Sequence, residues 1–459
     1  MTLSLSPARE LAYDAFVAVF EHGESAAAVL QRLYNRDDPK FKRVNRAFVE
    51  EVLFGALRWQ SKIYWILQNT SRRALDKLSP EVRTALVLGA YQIYYRDDVS
   101  DREAVNQSVE YLRVRGQATA CPFINGILRQ ISSRAKYFPK PDKTTHPVEY
   151  LSLQFAHPPW LVRRWAQHFK FAKLEEMLAA NNRPPPRAIR LNALKVPFEG
   201  AHLFQSRILK EEKIHSSRRP LRSSLYFTEE PETGASSLYA QGLYTIQDEA
   251  SQLVSNMVGA REGELVMTVN AGGAKVSHLV ELTQGRAPLI ALERDAQDIA
   301  QGQGHLVRLG AQARVEWHEA GLDQFTAPAK ADRVLLQAPS SDLGLIRRHP
   351  ELKWRKDGAL LVAAAAKEQA AALTRGLELL RPGGELIYAV PSFEPEESEL
   401  HLKRLLRVQE ARLELVSPVS RLPDYYKKYV TRDNIFVTYA GNGDEMDGLA
   451  VFIVKLKAP

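Results

Sequence analysis

The chain has 459 residues, of which 45% are hydrophobic and 25% are charged. This composition excludes wholesale disorder, and the length predicts two or three domains. The formal net charge of +8 favours an anionic partner such as a nucleic acid. A single cysteine, Cys121, excludes a disulfide framework and a cysteine-based zinc site, which fits a reducing compartment. Neither a secretory signal pattern nor an apolar run of about 20 residues is present, so we predict a cytoplasmic protein without a membrane or metal partner.

The first part of the chain, residues 1–140, shows apolar residues at helical spacing and no strong strand alternation. The clearest helix lies in LSPEVRTALVLGAYQIYYR, where Ser79 can cap the helix and Pro80 suits its first turn. We therefore predict an all-α bundle here. The Pro- and Lys-rich stretch AKYFPKPDKTTHPVEY then predicts a linker.

A middle region, residues 150–235, contains three basic stretches, HPPWLVRRWAQHF, NNRPPPRAIRLNAL and IHSSRRPLRSSLYF. They predict a small α/β subdomain that contacts RNA, with Arg187 and Arg190 among the contact residues. Basic residues on a solvated protein surface would explain the same pattern equally well.

In the last region, residues 236–459, short apolar segments alternate with helical segments. The strand candidates are ELVMTVN, PLIALER, RVLLQA and GELIYAV. Alternation of this kind predicts a parallel sheet covered by helices on both faces. The final apolar segment, LAVFIVKLK, is expected to be an edge strand.

The loop after the first of these strands suits an adenosyl cofactor. In doubly wound folds the ligand lies beyond the carboxyl ends of the strands, and VNAGGAKVSHLVEL places small residues and a helix start there. The next two strands end at acids that could contact a ribose and an adenine. A plain tight turn would also explain the small residues. The candidate cofactor residues are Ala271, Gly272, Gly273, Lys275, Glu293, Glu319 and Gln337.

The stretch RVLLQAPSSDLGLIRRHPELKWR places basic residues and a tryptophan after a strand end. Cations beside an aromatic ring suit a polyanion whose bases can stack. We therefore predict RNA contacts here, although a merely solvated helix is the alternative. The candidates are Arg347, Arg348, Lys353 and Trp354.

Motifs along nearly the whole chain resemble one family. They are FINGILRQ, HPPWLVRRW, NNRPPPRAIRLN, YTIQDEASQL, GLIRRHPELKW and PEESEL. The chain is similar to bacterial ribosomal RNA cytosine-C5 methyltransferases of the RsmB/Sun type, within the NOL1/NOP2 family. The resemblance implies a NusB-like helical domain, a small RNA-recognition subdomain and a Rossmann-like methyltransferase domain that uses S-adenosyl-L-methionine.

The chain departs from the family pattern where the chemistry occurs. The family's cofactor loop, Asp-x-Cys-Ala-Ala-Pro-Gly-Gly-Lys, is altered here, although Lys275 is kept. The family's Asp-Ala-Pro-Cys motif appears as Gln337-Ala338-Pro339-Ser340, and its Thr-Cys-Ser motif appears as Val390-Pro391-Ser392. The resemblance therefore implies that Ser340 and Pro391 stand at the two cysteine positions, and it gives no catalytic residue.

These replacements bear on the reaction because carbon 5 of cytosine becomes nucleophilic after a thiolate adds to carbon 6. A cysteine with a pKa of about 8.5 can supply that thiolate, whereas a serine needs a strong adjacent base. Our leading hypothesis is a relative that binds RNA, with ribosomal RNA as the expected partner, and that is inactive in C5 methylation. One alternative is an active S-adenosylmethionine-dependent RNA methyltransferase with a different target atom. Another is an assembly factor that binds a protein partner through the helical domain.

Overall fold

The computed structural model describes residues 4–134, 140–196, 200–227, 236–311, 315–355 and 357–458. The chain forms two compact units. Met1–Arg183 and Ile346–Ala359 make up the helical unit, and Pro184–Leu345 and Leu360–Pro459 make up the α/β unit. The predicted linker falls partly on residues 135–139, which lie outside the described residues.

The helical unit confirms the predicted all-α architecture, since its described residues include no strand. Ser79 accepts a hydrogen bond from the Val82 N–H at 3.4 Å, and Pro80 opens the helix as expected. Gly55 permits close packing, because a Cβ atom there would lie 1.9 Å from the Tyr91 hydroxyl. The helices are α1 Pro7–Phe16, α2 Ala26–Tyr34, α3 Arg46–Thr70, α4 Pro80–Tyr95, α5 Asp101–Val114, α6 Cys121–Arg134, α7 Pro147–Gln154, α8 Pro159–Ala166 and α9 Phe171–Asn181.

The α/β unit begins with a four-stranded antiparallel sheet in the order β2-β3-β1-β4. Its core includes Ile189, Phe204 and Tyr244. Residues 150–183 of the predicted middle region belong to the helical unit, and the rest of that region belongs here. The elements are β1 Arg187–Leu191, α10 Ala201–Glu212, β2 Ser216–Arg218, β3 Ser224–Phe227, α11 Ser237–Ala240 and β4 Tyr244–Ile246.

The second sheet of this unit has eight strands in the order β10-β12-β9-β8-β5-β6-β7, with β11 paired to β12. The strands from β9 to β7 in this order are parallel, as predicted. The elements are α12 Glu249–Val258, β5 Val266–Val269, α13 Gly272–Leu282, β6 Leu289–Glu293, α14 Ala296–Leu309, β7 Val315–Glu319, β8 Ala331–Gln337, α15 Gly358–Glu378, β9 Leu380–Val390, α16 Glu399–Gln409, β10 Leu413–Val416, β11 Phe436–Thr438 and β12 Leu449–Leu456.

The expectation of an edge strand at the carboxyl terminus is wrong. Strand β12 lies between β9 and β10 and pairs antiparallel with both. Residues 449–454 are all buried, so both faces of this strand are covered. An unbroken apolar run is typical of such an interior strand.

The strand order places a topological switch point at β5. From β5 the chain proceeds through β6 and β7 on one side, and then through β8 and β9 on the other. A crevice forms outside the carboxyl ends of the strands at such a point, where ligands bind in open α/β sheets. The loop that follows β5 therefore lies where a cofactor is expected.

Candidate cofactor and RNA site

The loop between β5 and α13 depends on backbone conformations that small residues favour. Asn270 and Gly272 both have positive φ angles, of 52° and 72°. Asparagine and glycine tolerate this left-handed region better than other residues. A Cβ atom on Gly273 would lie 2.7 Å from the Gly302 Cα on α14, so this glycine also permits close helix packing. The small residues thus shape the loop and its neighbouring helix.

Glu293, at the carboxyl end of β6, is tied to this loop. Its Oε1 accepts a hydrogen bond from the Gly272 N–H at 2.9 Å, and its side chain is buried. Burial raises the pKa of Glu293, although the Gly272 N–H opposes this shift. The acid is therefore positioned by the cofactor loop itself.

Lys275, in the first turn of α13, has an unusual electrostatic setting. Desolvation lowers the pKa of Lys275 to about 8, although the carboxylates of Asp248 and Glu293 oppose the shift. The side chain is half-buried and keeps some contact with solvent. Its charge can therefore change within a moderately alkaline range, unlike that of an ordinary surface lysine.

The candidate cofactor residues come from the carboxyl ends of four adjacent strands, β7, β6, β5 and β8. Glu319 is exposed and is in register with Glu293, and Gln337 is half-buried at the end of β8. Carboxylates and a glycine-rich helix start are groups that can bind hydroxyls and an extended polar ligand. This donor and acceptor set fits an adenosyl cofactor.

A buried carboxylate, which the sequence analysis did not single out, holds together the loops that follow β8 and β9. Glu397 accepts hydrogen bonds from the Ser341 N–H at 2.8 Å and from the Ser392 hydroxyl at 2.6 Å. Gln369 Nε2 donates to the same carboxylate at 2.9 Å, and the Ser341 hydroxyl also donates to it. The motif PEESEL contained this acid, but its partners are distant in sequence.

The residues at the two expected cysteine positions make local contacts in these loops. The Ser340 hydroxyl donates to Asp342 Oδ1 at 2.6 Å. The Pro391 carbonyl accepts a hydrogen bond from the Gly344 N–H at 3.0 Å. Cys121 lies in α6 of the helical unit and is buried, and its Sγ donates to the Val109 carbonyl at 3.6 Å.

The prediction that Arg190 contacts RNA is wrong for this structure, because its side chain is fully buried. Its guanidinium pairs with Glu281 at 2.6 Å and donates to the Ala274 carbonyl at 2.9 Å and the Ser277 hydroxyl at 3.0 Å. It also donates to Gln247. Arg190 thus joins β1 of the small sheet to α13, the helix that follows the cofactor loop.

Lys353 and Arg347 are likewise buried, with exposed fractions of 1% and 3%, so direct RNA contact is wrong for them as well. Lys353 Nζ donates to the Arg58 and Ala156 carbonyls and to Asn182 Oδ1, at 3.1, 3.2 and 2.9 Å. Desolvation lowers the pKa of Lys353, but three acceptor oxygens match the three N–H groups of its ammonium. These residues hold their segment within the helical unit.

The remaining candidates for RNA contact differ in their surroundings. Trp354 is half-buried, and its Nε1 donates to the Leu57 carbonyl at 2.7 Å, which uses its one donor. Arg187 and Arg348 are also half-buried, and RNA contact by these two residues stays a prediction. Within the ranges described, no helix is long and apolar enough to cross a membrane, and no group of three or more potential metal ligands occurs.

Comparison with known proteins gives matches along most of the chain. Residues 256–457 match the family model described as 16S rRNA methyltransferase RsmB/F, and residues 6–133 match the NusB family. Residues 157–220 match the ferredoxin-like domain of RsmF/B-like methyltransferases. The Ribosomal RNA small subunit methyltransferase B of Klebsiella pneumoniae (strain 342) is 29% identical over 404 residues, covering 87% of this chain and 89% of the relative.

Two solved structures support the fold. The protein in "Crystal Structure of PH0851" matches with a TM-score of 0.79 and 21% identity, covering 99% of this chain and 100% of the other. NSun6 from Pyrococcus horikoshii, solved with SFG, matches with a TM-score of 0.56 and 17% identity, covering 66% of this chain and 99% of the other. At these identities the likeness concerns the fold alone.

Proposed function

We propose that the chain is an RsmB/F-type relative with a NusB domain and that it binds ribosomal RNA without methylating carbon 5 of cytosine. The family-model matches and the 29% identical relative support this placement. The observation that carries this proposal is the position of the single sulfur nucleophile. Cys121 lies in α6, where it is buried and its Sγ donates a hydrogen bond to the Val109 carbonyl. The loops after β8 and β9 carry Ser340 and Pro391 at the positions where the family resemblance implies cysteines.

The chemistry of the pyrimidine ring makes the location of the cysteine decisive for C5 methylation. A thiolate that adds to carbon 6 makes carbon 5 nucleophilic, and a proton must later leave carbon 5. A serine hydroxyl does this poorly without a strong base. The Ser392 hydroxyl donates to Glu397, whose carboxylate already accepts from the Ser341 and Gln369 donors. Pro391 has no nucleophilic side chain. These serines and this proline therefore shape the loops.

The family resemblance implies that Gln337 stands at the family's carboxylate position, which changes what the site can offer a base. Its amide can hydrogen-bond a nucleobase edge, but it cannot supply the negative charge that stabilises a protonated ring nitrogen. In the proposed function, Gln337 holds a base without activating it. This supports binding in preference to C5 chemistry.

A second candidate is methyl transfer to a different RNA atom, favoured by the Gly272–Glu293 contact at 2.9 Å. S-adenosyl-L-methionine supplies an electrophilic methyl group when it is bound. The Gly272 loop, Glu293 and Glu319 would hold its adenosyl part. Transfer to an exocyclic nitrogen or a ribose hydroxyl needs no covalent enzyme intermediate, so the absence of a thiolate does not prevent it.

A methylation assay on 16S ribosomal RNA, read by mass spectrometry of nucleosides, tests the first proposal. We expect RNA binding and no 5-methylcytosine from the unaltered protein. The triple variant Gln337→Asp/Ser340→Cys/Pro391→Cys restores the family's residues, and Ser340→Ala/Ser392→Ala is its control. Formation of 5-methylcytosine by the unaltered protein, or failure to bind RNA, would overturn the proposal.

Calorimetric titration with S-adenosylmethionine separates the two candidates. Binding that Glu293→Ala weakens at least tenfold, or about 1.4 kcal/mol, would support transfer to another atom, and all modified nucleosides would then be searched. No binding at millimolar ligand would exclude that candidate and leave RNA binding as the function.

A further inference from the structure

One face of helix α16 carries a row of exposed residues that recur every three or four positions. The buried face of this helix includes Leu402 and Leu405, which pack in the core beside the large sheet. Residues at this spacing lie on one side of a helix. The exposed face, which we call the α16 stripe, consists of Leu400, Lys403, Arg404, Arg407 and Val408.

The charge of the stripe comes mainly from its two arginines. Lys403 pairs with Glu399 and with Asp433, the latter at 3.3 Å, so nearby acids offset its charge. Within the part of the chain that the structure describes, no ion pair holds Arg404 or Arg407. Because guanidinium groups bind phosphate in a bidentate manner, two uncompensated arginines on adjacent turns suit a phosphate backbone.

The helix is fixed to the two loops of the candidate site. Glu397, which binds both loops, lies two residues before the start of α16. His401, on the buried face, contacts Gln369 at 3.1 Å between Nε2 and Oε1, and Gln369 in turn donates to Glu397. The stripe is therefore held on a rigid support that it shares with these loops.

The apolar part of the stripe is too small to favour a membrane. Leu400 and Val408 are 50% and 70% exposed, but they are eight residues apart, or about 12 Å along the helix axis. Three cationic side chains lie between them. An amphipathic membrane helix requires a continuous apolar face, whereas arginine and lysine side chains are among the groups that contact phosphate oxygens.

We propose that the α16 stripe binds the phosphate backbone of structured RNA through Arg404 and Arg407. This inference rests on the proposed RNA-binding function and adds to it a specific surface. The contacts fix the position of the RNA and carry no sequence preference, since phosphate oxygens are the same at every nucleotide. Their contribution to affinity depends strongly on salt concentration.

The test compares RNA affinity for the unaltered full chain and for Arg404→Gln/Arg407→Gln, by filter binding of a 16S ribosomal RNA transcript over a range of salt concentrations. We expect the variant to bind roughly 10- to 20-fold more weakly at about 0.15 M salt, with the slope of log K against log salt smaller by about 1.4 to 1.8. Arg404→Lys/Arg407→Lys keeps both charges and should restore most of the slope.

The matched control is Arg261→Gln/Lys330→Gln, which removes two exposed charges near the amino ends of β5 and β8. We expect its affinity to change less than threefold. If the unaltered protein binds RNA and both glutamine variants bind equally well, the stripe is not an RNA surface, although the proposed function stands. If the unaltered protein does not bind RNA, the proposed function itself fails. Loss of binding to vesicles containing phosphatidylserine, with RNA binding unchanged, would identify a membrane surface and overturn the inference.

Discussion

Two basic segments of this protein, residues 346–359 and helix α16, have similar compositions and opposite environments. In the first segment, Arg347 and Lys353 are buried and donate to oxygens of the helical unit. In α16, the side chains of Arg404 and Arg407 face solvent. Arg347 and Lys353 are thus buried where fixed acceptors match their N–H groups, whereas no ion pair holds the exposed Arg404 and Arg407 within the described residues.

The spacing of apolar residues distinguishes these segments better than their charge does. In α16, buried Leu402 and Leu405 define one face and leave the cations on the other. The first segment contains the short 3₁₀ helix Pro350–Trp354 and has no sustained helical period. Its basic residues therefore cannot be assigned to a solvated face from the sequence.

Buried and exposed cations should differ in their effect on stability, and Arg190→Met should have the largest effect among the substitutions that test this difference. It leaves Glu281, which is 1% exposed, without its guanidinium partner. We expect a loss of about 3–5 kcal/mol in the free energy of unfolding of the α/β unit, because an uncompensated buried charge remains. Chemical denaturation, followed by circular dichroism, measures this loss.

The double variant Arg190→Met/Glu281→Leu is the control for this prediction. Removal of both charges should recover a large part of the lost stability, so the two substitutions are strongly non-additive. Additive losses would show that the ion pair is not what makes Arg190 important, and would favour its contacts with Ala274 and Ser277.

Lys353→Met should destabilise the helical unit by about 2–4 kcal/mol, since two backbone carbonyls and the Asn182 amide oxygen lose their donor. Arg404→Met, its matched control on the α16 stripe, should change the free energy of unfolding by less than about 0.5 kcal/mol. Urea titration measures both effects. RNA affinity should fall more for Arg404→Met than for Lys353→Met. Equal destabilisation by the two substitutions would contradict the contrast between the segments.

Much of the fold could be predicted from the sequence, whereas the roles of its cations could not. Alternating strands and helices and a well-capped α4 follow from local patterns that short segments reveal. Burial of Arg190 and Lys353 depends on acceptors far away in the sequence, such as Glu281 and Ala156. The loop partners of Glu397 are distant for the same reason. Strand β12 is predicted to be an edge because it lies near the end of the sequence, whereas its pairing with both β9 and β10 depends on the strand order, which local patterns do not reveal.

Lys275 is intermediate between the buried and the exposed cations, and it should make stability depend on pH. Its pKa of about 8 in the folded protein is below the value of about 10.4 expected for an unfolded chain. Between these values the unfolded state binds more protons, so stability rises with pH. Below pH 8 both states are protonated, and the desolvation cost persists unchanged.

The expected gain between about pH 7.5 and 9.5 is on the order of 1–2 kcal/mol, after allowance for the partial exposure of Lys275. The difference in unfolding free energy between the unaltered protein and Lys275→Met isolates this term, because other titrating groups cancel. The same difference for the exposed Lys330→Met should stay flat across this range. A flat difference for Lys275→Met as well would mean that its ammonium is solvated like that of Lys330, and that the cofactor loop does not desolvate its lysine.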